Sequence, residues 1–197
     1  MTENPIPKAD EPDYDNPPYY RVGLVGCGKD KCDEPAPAKD LYTSRYFQLK
    51  REWCEYYTYR WFVVSAEHGL LKPDEVIEPY EQSLADLTEK GKQLWTDKLV
   101  NQLSVELSTV WGTPHSHEVV LLMGDSGGND YRSRVREALS RTARGYMDED
   151  EHAAIYSPFE EESEARGGNG AQMGWLREEV ERAEAPSGQV SLAEVSE

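Results

Sequence analysis

The chain has 197 residues, 38 of them acidic against 21 basic, for a net charge of −17. That balance is too acidic for an ordinary nucleic-acid binder acting through its whole surface, and no apolar run approaches the roughly 18 residues that a membrane span needs. The length suits one domain with ragged ends and a real core. Three cysteines, Cys27, Cys32 and Cys54, are too few for a disulfide framework and point to a reducing cytoplasm.

The acidity has two readings. It either keeps nucleic acid away or adapts the protein to a cytoplasm of molar salt. The acidic residues run through the whole chain while the apolar segments stay intact, which favours the halophilic reading. At about 1 M salt the Debye length is only about 3 Å, so long-range repulsion vanishes and local basic clusters decide binding. Net charge therefore leaves a nucleic-acid partner open.

Residues 1–19 read as a disordered, acidic, Pro-rich leader without the basic-then-apolar order of a signal peptide. "YRVGLVGCG" (20–28) is an apolar run closed by glycines, a buried strand and a tight turn. After a Pro-rich loop, Tyr46, Leu49, Trp53 and Tyr57 fall at helical spacing over 44–57. "YRWFVVS" (59–65) is aromatic and β-branched, hence a second strand. A loop with two prolines follows (66–80).

Leu84, Leu87, Trp95, Leu99, Leu103 and Leu107 then mark a long amphipathic helix, with a possible break near Gly91. "HEVVLLMG" (117–124) is a third buried strand and "DSGGND" its turn. Residues 131–144 form a basic helix with Val135, Ala138 and Leu139 on one face. The remainder reads as an acidic loop (148–164), a Gly-rich turn, a short helix "WLREEVERA" and a disordered tail (183–197). Strands alternating with helices predict an α/β fold, a single domain over 20–182 with a largely parallel central sheet and flanking helices.

Three polar groups share one address in such a fold. "GCGKDK" ends the first strand, "SAEHG" the second and "GDSGG" the third. Ligands of open parallel sheets bind outside the carboxyl ends of the strands. Cys27, Lys29, Lys31, Ser65, Glu67, His68, Gly69, Gly124, Asp125 and Ser126 are therefore expected on one rim. The first turn is neither a Walker loop nor a dinucleotide fingerprint, yet its backbone N–H groups beside Lys29 and Lys31 suit a phosphate or carboxylate. Cys27 and Cys32 lack a second Cys/His pair, so no metal site is expected. "GDSGG" after "VVSAEHG" echoes a serine protease, but a leucine-periodic helix between them does not fit that all-β fold.

Asp125 suits another role. A carboxylate at a strand end can stabilise or capture an oxocarbenium-like sugar centre, with Glu67 or His68 supplying or removing a proton. Behind it, Arg132, Arg134, Arg136, Arg141 and Arg144 form the one strong basic cluster. This is either a solvated face paired with neighbouring acids or a track for a phosphate backbone. Tyr42, Tyr80 and Tyr131 lie where they can stack on a base or pack.

"LVGCGKDKCDEPAPAKDLYTSRYF" followed by "WFVVSAEHGLLKPDEVIEPY" resembles an uncharacterised domain family of bacteria, archaea and their viruses, related to the YaaA-type peroxide-stress, DNA-binding proteins. The residues that carry the likeness are Cys27, Lys29, Lys31, Asp40-Leu41-Tyr42, Ser65, His68-Gly69-Leu70 and Pro79-Tyr80, together with "GGNGAQMGWL". Glu67 departs from the pattern, and the helix-hairpin-helix element of YaaA-type proteins is not evident. The same motifs are fainter echoes of an accessory domain of archaeosine-type tRNA transglycosylases and of viral enzymes that place 7-deazaguanine bases in DNA.

These resemblances imply glycosyl transfer that exchanges guanine for a 7-deazaguanine base, in DNA ahead of RNA. Asp125 would be nucleophile or cation stabiliser, Lys29 and Lys31 would hold phosphate, and Tyr42, Ser65, His68 and Tyr80 would shape the base pocket, with Asp40 also among the substrate-binding residues. No cofactor and no membrane is expected. The other implied reading is a YaaA-type stress-response module that binds nucleotides or nucleic acid without catalysis.

Overall fold

The computed structural model describes residues 20–107, 117–126, 129–143 and 154–185. The leader (1–19), Arg144, the first part of the acidic loop and the tail beyond 185 lie outside these described residues. Strand β1 (Tyr20–Gly26) sits at the centre of a five-stranded sheet, with β3 (Arg60–Ser65) on one side and β6 (His117–Leu122) on the other, both parallel to it. Strand β9 (Ala154–Tyr156) extends the parallel sheet beyond β6, and β4 (Gly69–Leu71) closes the opposite edge antiparallel to β3. Outside this sheet, β2 (Ala36–Pro37), which leads into the one-turn helix α1 (Ala38–Leu41), pairs antiparallel with β5 (Val76–Ile77), and β7 (Asp125–Ser126) pairs antiparallel with β8 (Asn129–Asp130). The expected α/β architecture is present.

Both faces of the sheet are covered, which is why its strands read as continuous apolar runs rather than alternating ones. Val22, Leu24, Phe62, Val64, Val119 and Leu121 point to one side, and Val25, Val63, Val120 and Leu122 to the other. On the first side lie α3 (Glu89–Glu106) and α4 (Tyr131–Ala143). Leu99 and Leu103 of α3 share that core with Val135, Ala138 and Leu139 of α4. On the second side lie α2 (Arg45–Tyr57) and α6 (Asn169–Glu184), where the Trp53 and Trp175 rings stand 6.0 Å apart.

Helix boundaries follow their caps. Ser44 Oγ accepts the Phe47 N–H at the start of α2, and Thr88 Oγ1 accepts the Gly91 N–H at the start of α3. The break expected near Gly91 therefore falls before it. A single 3-10 turn (Leu84–Asp86) closed by a Ser83–Asp86 capping box precedes α3, and Gly91 belongs to the helix's first turn.

Two expectations in the C-terminal part are corrected. Inside the supposed acidic loop, Ala154–Tyr156 forms β9 and Pro158–Glu161 forms a short helix, α5. A three-residue strand is too short to produce a periodic pattern, and its register on Glu118, Val119 and Val120 comes from the exposed edge of β6. The Gly-rich turn is largely the first half of α6, which begins at Asn169 and runs to Glu184, past the expected start of the tail. Burial of Trp175, Leu176 and Val180 in the core shared with α2 outweighs the roughly 1 kcal/mol per glycine that the helix loses.

The chain leaves β1 toward β3 and later leaves β6 toward β9, so the strand order reverses between β1 and β6. The crevice at the carboxyl ends of these strands is the topological switch point.

Candidate functional site

Register sets the level at which the site forms. Gly26 pairs with Val64, and Val25 with Leu122, so the chain passes the ends of β1, β3 and β6 at Cys27, Ser65 and Met123-Gly124. The Cys27 N–H still bonds the Val64 carbonyl at 3.1 Å. A Cβ on Gly26 would lie 3.0 Å from Met123 Cβ, so glycine lets the two strand ends close up. The three polar turns thus share one end of one sheet.

Ser65 explains why a buried strand ends on a polar group. It is fully buried, and its Oγ accepts the N–H groups of Glu67 (3.2 Å) and His68 (3.0 Å), which folds the chain back into β4. The same hydroxyl donates to Tyr80 Oη at 2.8 Å, and the Tyr80 and Tyr42 hydroxyls meet at 2.9 Å.

Tyr42 is brought there by a short bridge between Lys31 and Tyr42, flanked by the Cys32 N–H to the Leu41 carbonyl and the Thr43 N–H to the Asp30 carbonyl. The Lys31 ammonium lies over the Tyr80 ring at 4.3 Å. The His68 ring meets Tyr80 edge-on at 5.3 Å, and its Nε2 is buried with no hydrogen-bond partner.

A second contact closes the cluster from the other side. Tyr131 opens α4, and its hydroxyl lies 3.2 Å from Cys27 Sγ, while its ring stands edge-on to Trp95 at 5.9 Å. Trp95 Nε1 in turn donates to the Ser65 carbonyl. Burial pushes the Tyr42, Tyr80 and Tyr131 hydroxyls well above the ordinary phenol range, so all three are neutral donors at physiological pH. Lys50, buried on α2, donates to the Gly26 carbonyl at 2.7 Å, and burial lowers its ammonium to about 8.

The structure therefore brings together Cys27, Lys31, Tyr42, Ser65, His68 and Tyr80, with the main chain of Glu67 and Gly69. Several expected residues point elsewhere. Lys29 and the Glu67 side chain are exposed, and Asp40 is ion-paired with Arg51 at 2.6 Å. Gly124 is exposed at the end of β6. Asp125 and Ser126 form one side of a small hairpin whose other side is Asn129–Asp130.

The Asp125 carboxylate takes the Ser133 N–H at 3.2 Å and the Ser133 hydroxyl, and Arg132 stands 3.7 Å away. It thus sits at the same sheet end while capping α4. The described arginines behind it, Arg132, Arg134, Arg136 and Arg141, have carboxylate partners. Arg132 and Arg136 reach Glu160, and Arg134 reaches Glu89, Asp130 and Glu137.

Sequence reasoning passed over two residues. Lys50 continues the buried stripe of Tyr46, Trp53 and Tyr57, and a lysine at such a position was the available signal. Gln102 sits on α3 beside the Leu99–Leu103 stripe. Its amide accepts the Leu70 N–H at 2.9 Å and donates to the His68 and Leu70 carbonyls at 3.1 and 3.3 Å, so it caps the sheet edge at β4.

Over 126 residues the chain is 28% identical to the uncharacterized protein YfjM of Bacillus subtilis (strain 168), an alignment covering 60% of this chain and 77% of that protein. No solved structure matches it. Residues 22–153, which hold every residue of the strand-end cluster, match a family of unknown function, and the chain belongs to that family, DUF6884.

Proposed function

We propose that the strand-end cluster receives a purine base presented on a nucleotide, and that the chain exchanges guanine for a 7-deazaguanine base by glycosyl transfer in DNA or RNA. One observation carries the reading: Cys27, Tyr42, Ser65, Tyr80 and Tyr131 converge at the switch point as one polar cluster among aromatic rings. Guanine offers the matching features, the O6 and N7 acceptors and a face for stacking. The motif likeness to YaaA-type proteins and to deazaguanine transglycosylases supports the same class of ligand.

In this reading the bond between C1′ and the base nitrogen breaks and Asp125 faces the sugar cation, its carboxylate oriented by Ser133 and Arg132. C1′ then bonds the incoming base nitrogen; the departing base takes up a proton and the incoming base gives one up, with His68 as the carrier. The buried, unpartnered Nε2 of His68 suits that role. The experiment is incorporation of labelled guanine or a 7-deazaguanine into DNA and RNA oligonucleotides. Asp125→Asn is expected to lower incorporation at least about 100-fold, close to 2.7 kcal/mol of barrier, while keeping most of the nucleic-acid affinity.

A second reading, a YaaA-type binding module without catalysis, is favoured by the capping role of Asp125, whose carboxylate is already engaged by Ser133. Wild-type protein that binds nucleotide or nucleic acid but incorporates no base selects it.

A further inference from the structure

The hydroxyls of Ser65, Tyr42 and Tyr80 carry three protons but make only two contacts among themselves. Ser65 Oγ has both acceptor positions filled by the Glu67 and His68 N–H groups, so its own proton goes to Tyr80. Tyr42 is fully buried; its hydroxyl bonds that of Tyr80 and also neighbours that of Ser65, whose acceptor positions are taken, so its proton goes to Tyr80 as well. Tyr80 is only partly buried. With its oxygen accepting from two sides, its own proton has no acceptor among the hydroxyls of the cluster.

The charge beside that proton is unusual for this chain. The protein has 38 acidic residues against 21 basic, and most of its described arginines are ion-paired. Lys31 instead lies over the Tyr80 ring at 4.3 Å and bonds the Lys29 carbonyl at 3.2 Å, with no carboxylate at ion-pair distance among the described residues. One of its N–H donors is thus used and the others are available. Lys50 likewise has a carbonyl and aromatic rings for partners, and it holds a second ammonium behind Gly26 and Cys27. The strand end therefore presents donors and positive charge in a molecule whose surface is otherwise acidic.

We infer that Tyr80 and Lys31 form a clamp for a single phosphate of the target nucleotide, one oxygen taking the Tyr80 hydroxyl proton and the Lys31 ammonium together. The inference rests on the nucleotide reading of the site, and the phosphate is either a monoester on a free nucleotide or a diester within a strand. Two charge-assisted bonds in a partly dry site favour the phosphorylated ligand over the bare nucleoside.

Calorimetric titration of the full chain with guanosine, with guanosine 5′-monophosphate and with a dinucleotide whose one phosphate is internal tests this. The wild type is expected to bind at least one phosphorylated ligand about 10-fold or more tightly than guanosine, and which of the two it prefers identifies the source. Lys31→Gln and Tyr80→Phe should each bring that preference, read as the ratio of the phosphorylated ligand's affinity to that of guanosine on the same variant, to within about 3-fold. Lys90→Gln, the same charge change at an exposed position on α3, should leave the preference intact.

Equal affinity for guanosine and both phosphorylated ligands overturns the clamp. So does an equal effect of Lys31→Gln and Lys90→Gln, which would make the preference a matter of net charge. If Tyr80→Phe unfolds the chain, Lys31→Gln decides alone. Phosphate preference without base exchange overturns the glycosyl-transfer reading and leaves the clamp standing; base exchange without phosphate preference does the reverse.

Discussion

The Tyr131 hydroxyl stands 3.2 Å from the Cys27 sulfur although 104 positions separate them in the chain. Cys27 leaves the central strand, and Tyr131 begins the helix that follows the third parallel strand. The pairing of Asp125–Ser126 with Asn129–Asp130 leads into that helix, Asp125 caps it through Ser133, and Trp95 meets the Tyr131 ring edge-on. One contact thus joins the two strand ends that bound the switch point.

The cysteines should differ in reactivity. Cys54 is fully buried, and burial pushes its thiol far above the ordinary range, whereas Cys27 and Cys32 are partly accessible. A disulfide reagent applied to the native protein is expected to label Cys27 and Cys32 and to spare Cys54 until unfolding. Tyr131→Phe should speed labelling of Cys27 and leave Cys32 unchanged. Mass spectrometry of labelled peptides reads this, and rapid labelling of Cys54 in the native state would contradict the packing of α2 on the sheet.

Lys50 should give the fold a pH signature. Burial lowers its ammonium from 10.5 to about 8. Between those values the unfolded chain keeps a proton that the folded chain has released, so this group makes the fold more stable as pH rises from about 8 toward 10.5. Below that window both states are protonated and the cost of burying the charge is constant. Cys54 acts in the opposite sense above its ordinary 9.0, so the measurement is the difference between wild type and Lys50→Met in urea unfolding. That difference should move in favour of the wild type by up to about 1.4 kcal/mol per pH unit. A flat difference from pH 8 to 10 would mean that the buried ammonium keeps its ordinary affinity for the proton.

Gly69 should not tolerate a side chain. Its φ is +76°, and an added Cβ would lie 2.1 Å from Gln102 Oε1. Gly69→Ala is expected to cost about 1–3 kcal/mol, from left-handed strain and from displacing the amide that caps the sheet edge. Gln102→Leu removes the clash but leaves the Leu70 N–H and carbonyl without their partner, so the double variant should remain destabilised. Full stability of Gly69→Ala in urea unfolding would refute the close contact.

Asp125 carries a structural consequence apart from any chemistry. Because its carboxylate accepts the Ser133 N–H and hydroxyl, Asp125→Ala should lower stability by about 1 kcal/mol, in the manner of a lost helix cap. Ser133→Ala should do part of the same without touching the carboxylate. A Ser133→Ala protein with normal stability would show that the start of α4 does not depend on this pair.

The surface should respond to salt. With a net charge of −17, mutual repulsion of carboxylates opposes folding, and screening it from low to molar potassium chloride is expected to raise the melting temperature. The exposed ion pairs oppose this trend weakly, since each is worth at most about 1 kcal/mol. A melting temperature that falls across that range would place the net effect in those pairs and defeat the halophilic reading.

The sequence by itself determined the alternation of strands and helices, the parallel sheet and the shared address of the three polar turns. Those features are written in apolar runs closed by glycine and in leucine spacing, which are local signals. It also singled out Cys27, Lys31, Ser65 and His68, because strand-end turns are where such residues accumulate, and Tyr42 and Tyr80 through the motifs that carry the family resemblance. It did not reveal β9, whose three residues have a conformation only because β6 offers an unpaired edge. Nor did it separate Asp40, engaged by Arg51, from its neighbour Tyr42, which turns into the cluster. The direction of a side chain depends on partners distant in the chain, and only the packed structure could decide that Tyr80 collects two buried hydroxyls, that Lys50 lies behind Gly26, and that the arginines of α4 already have their carboxylates.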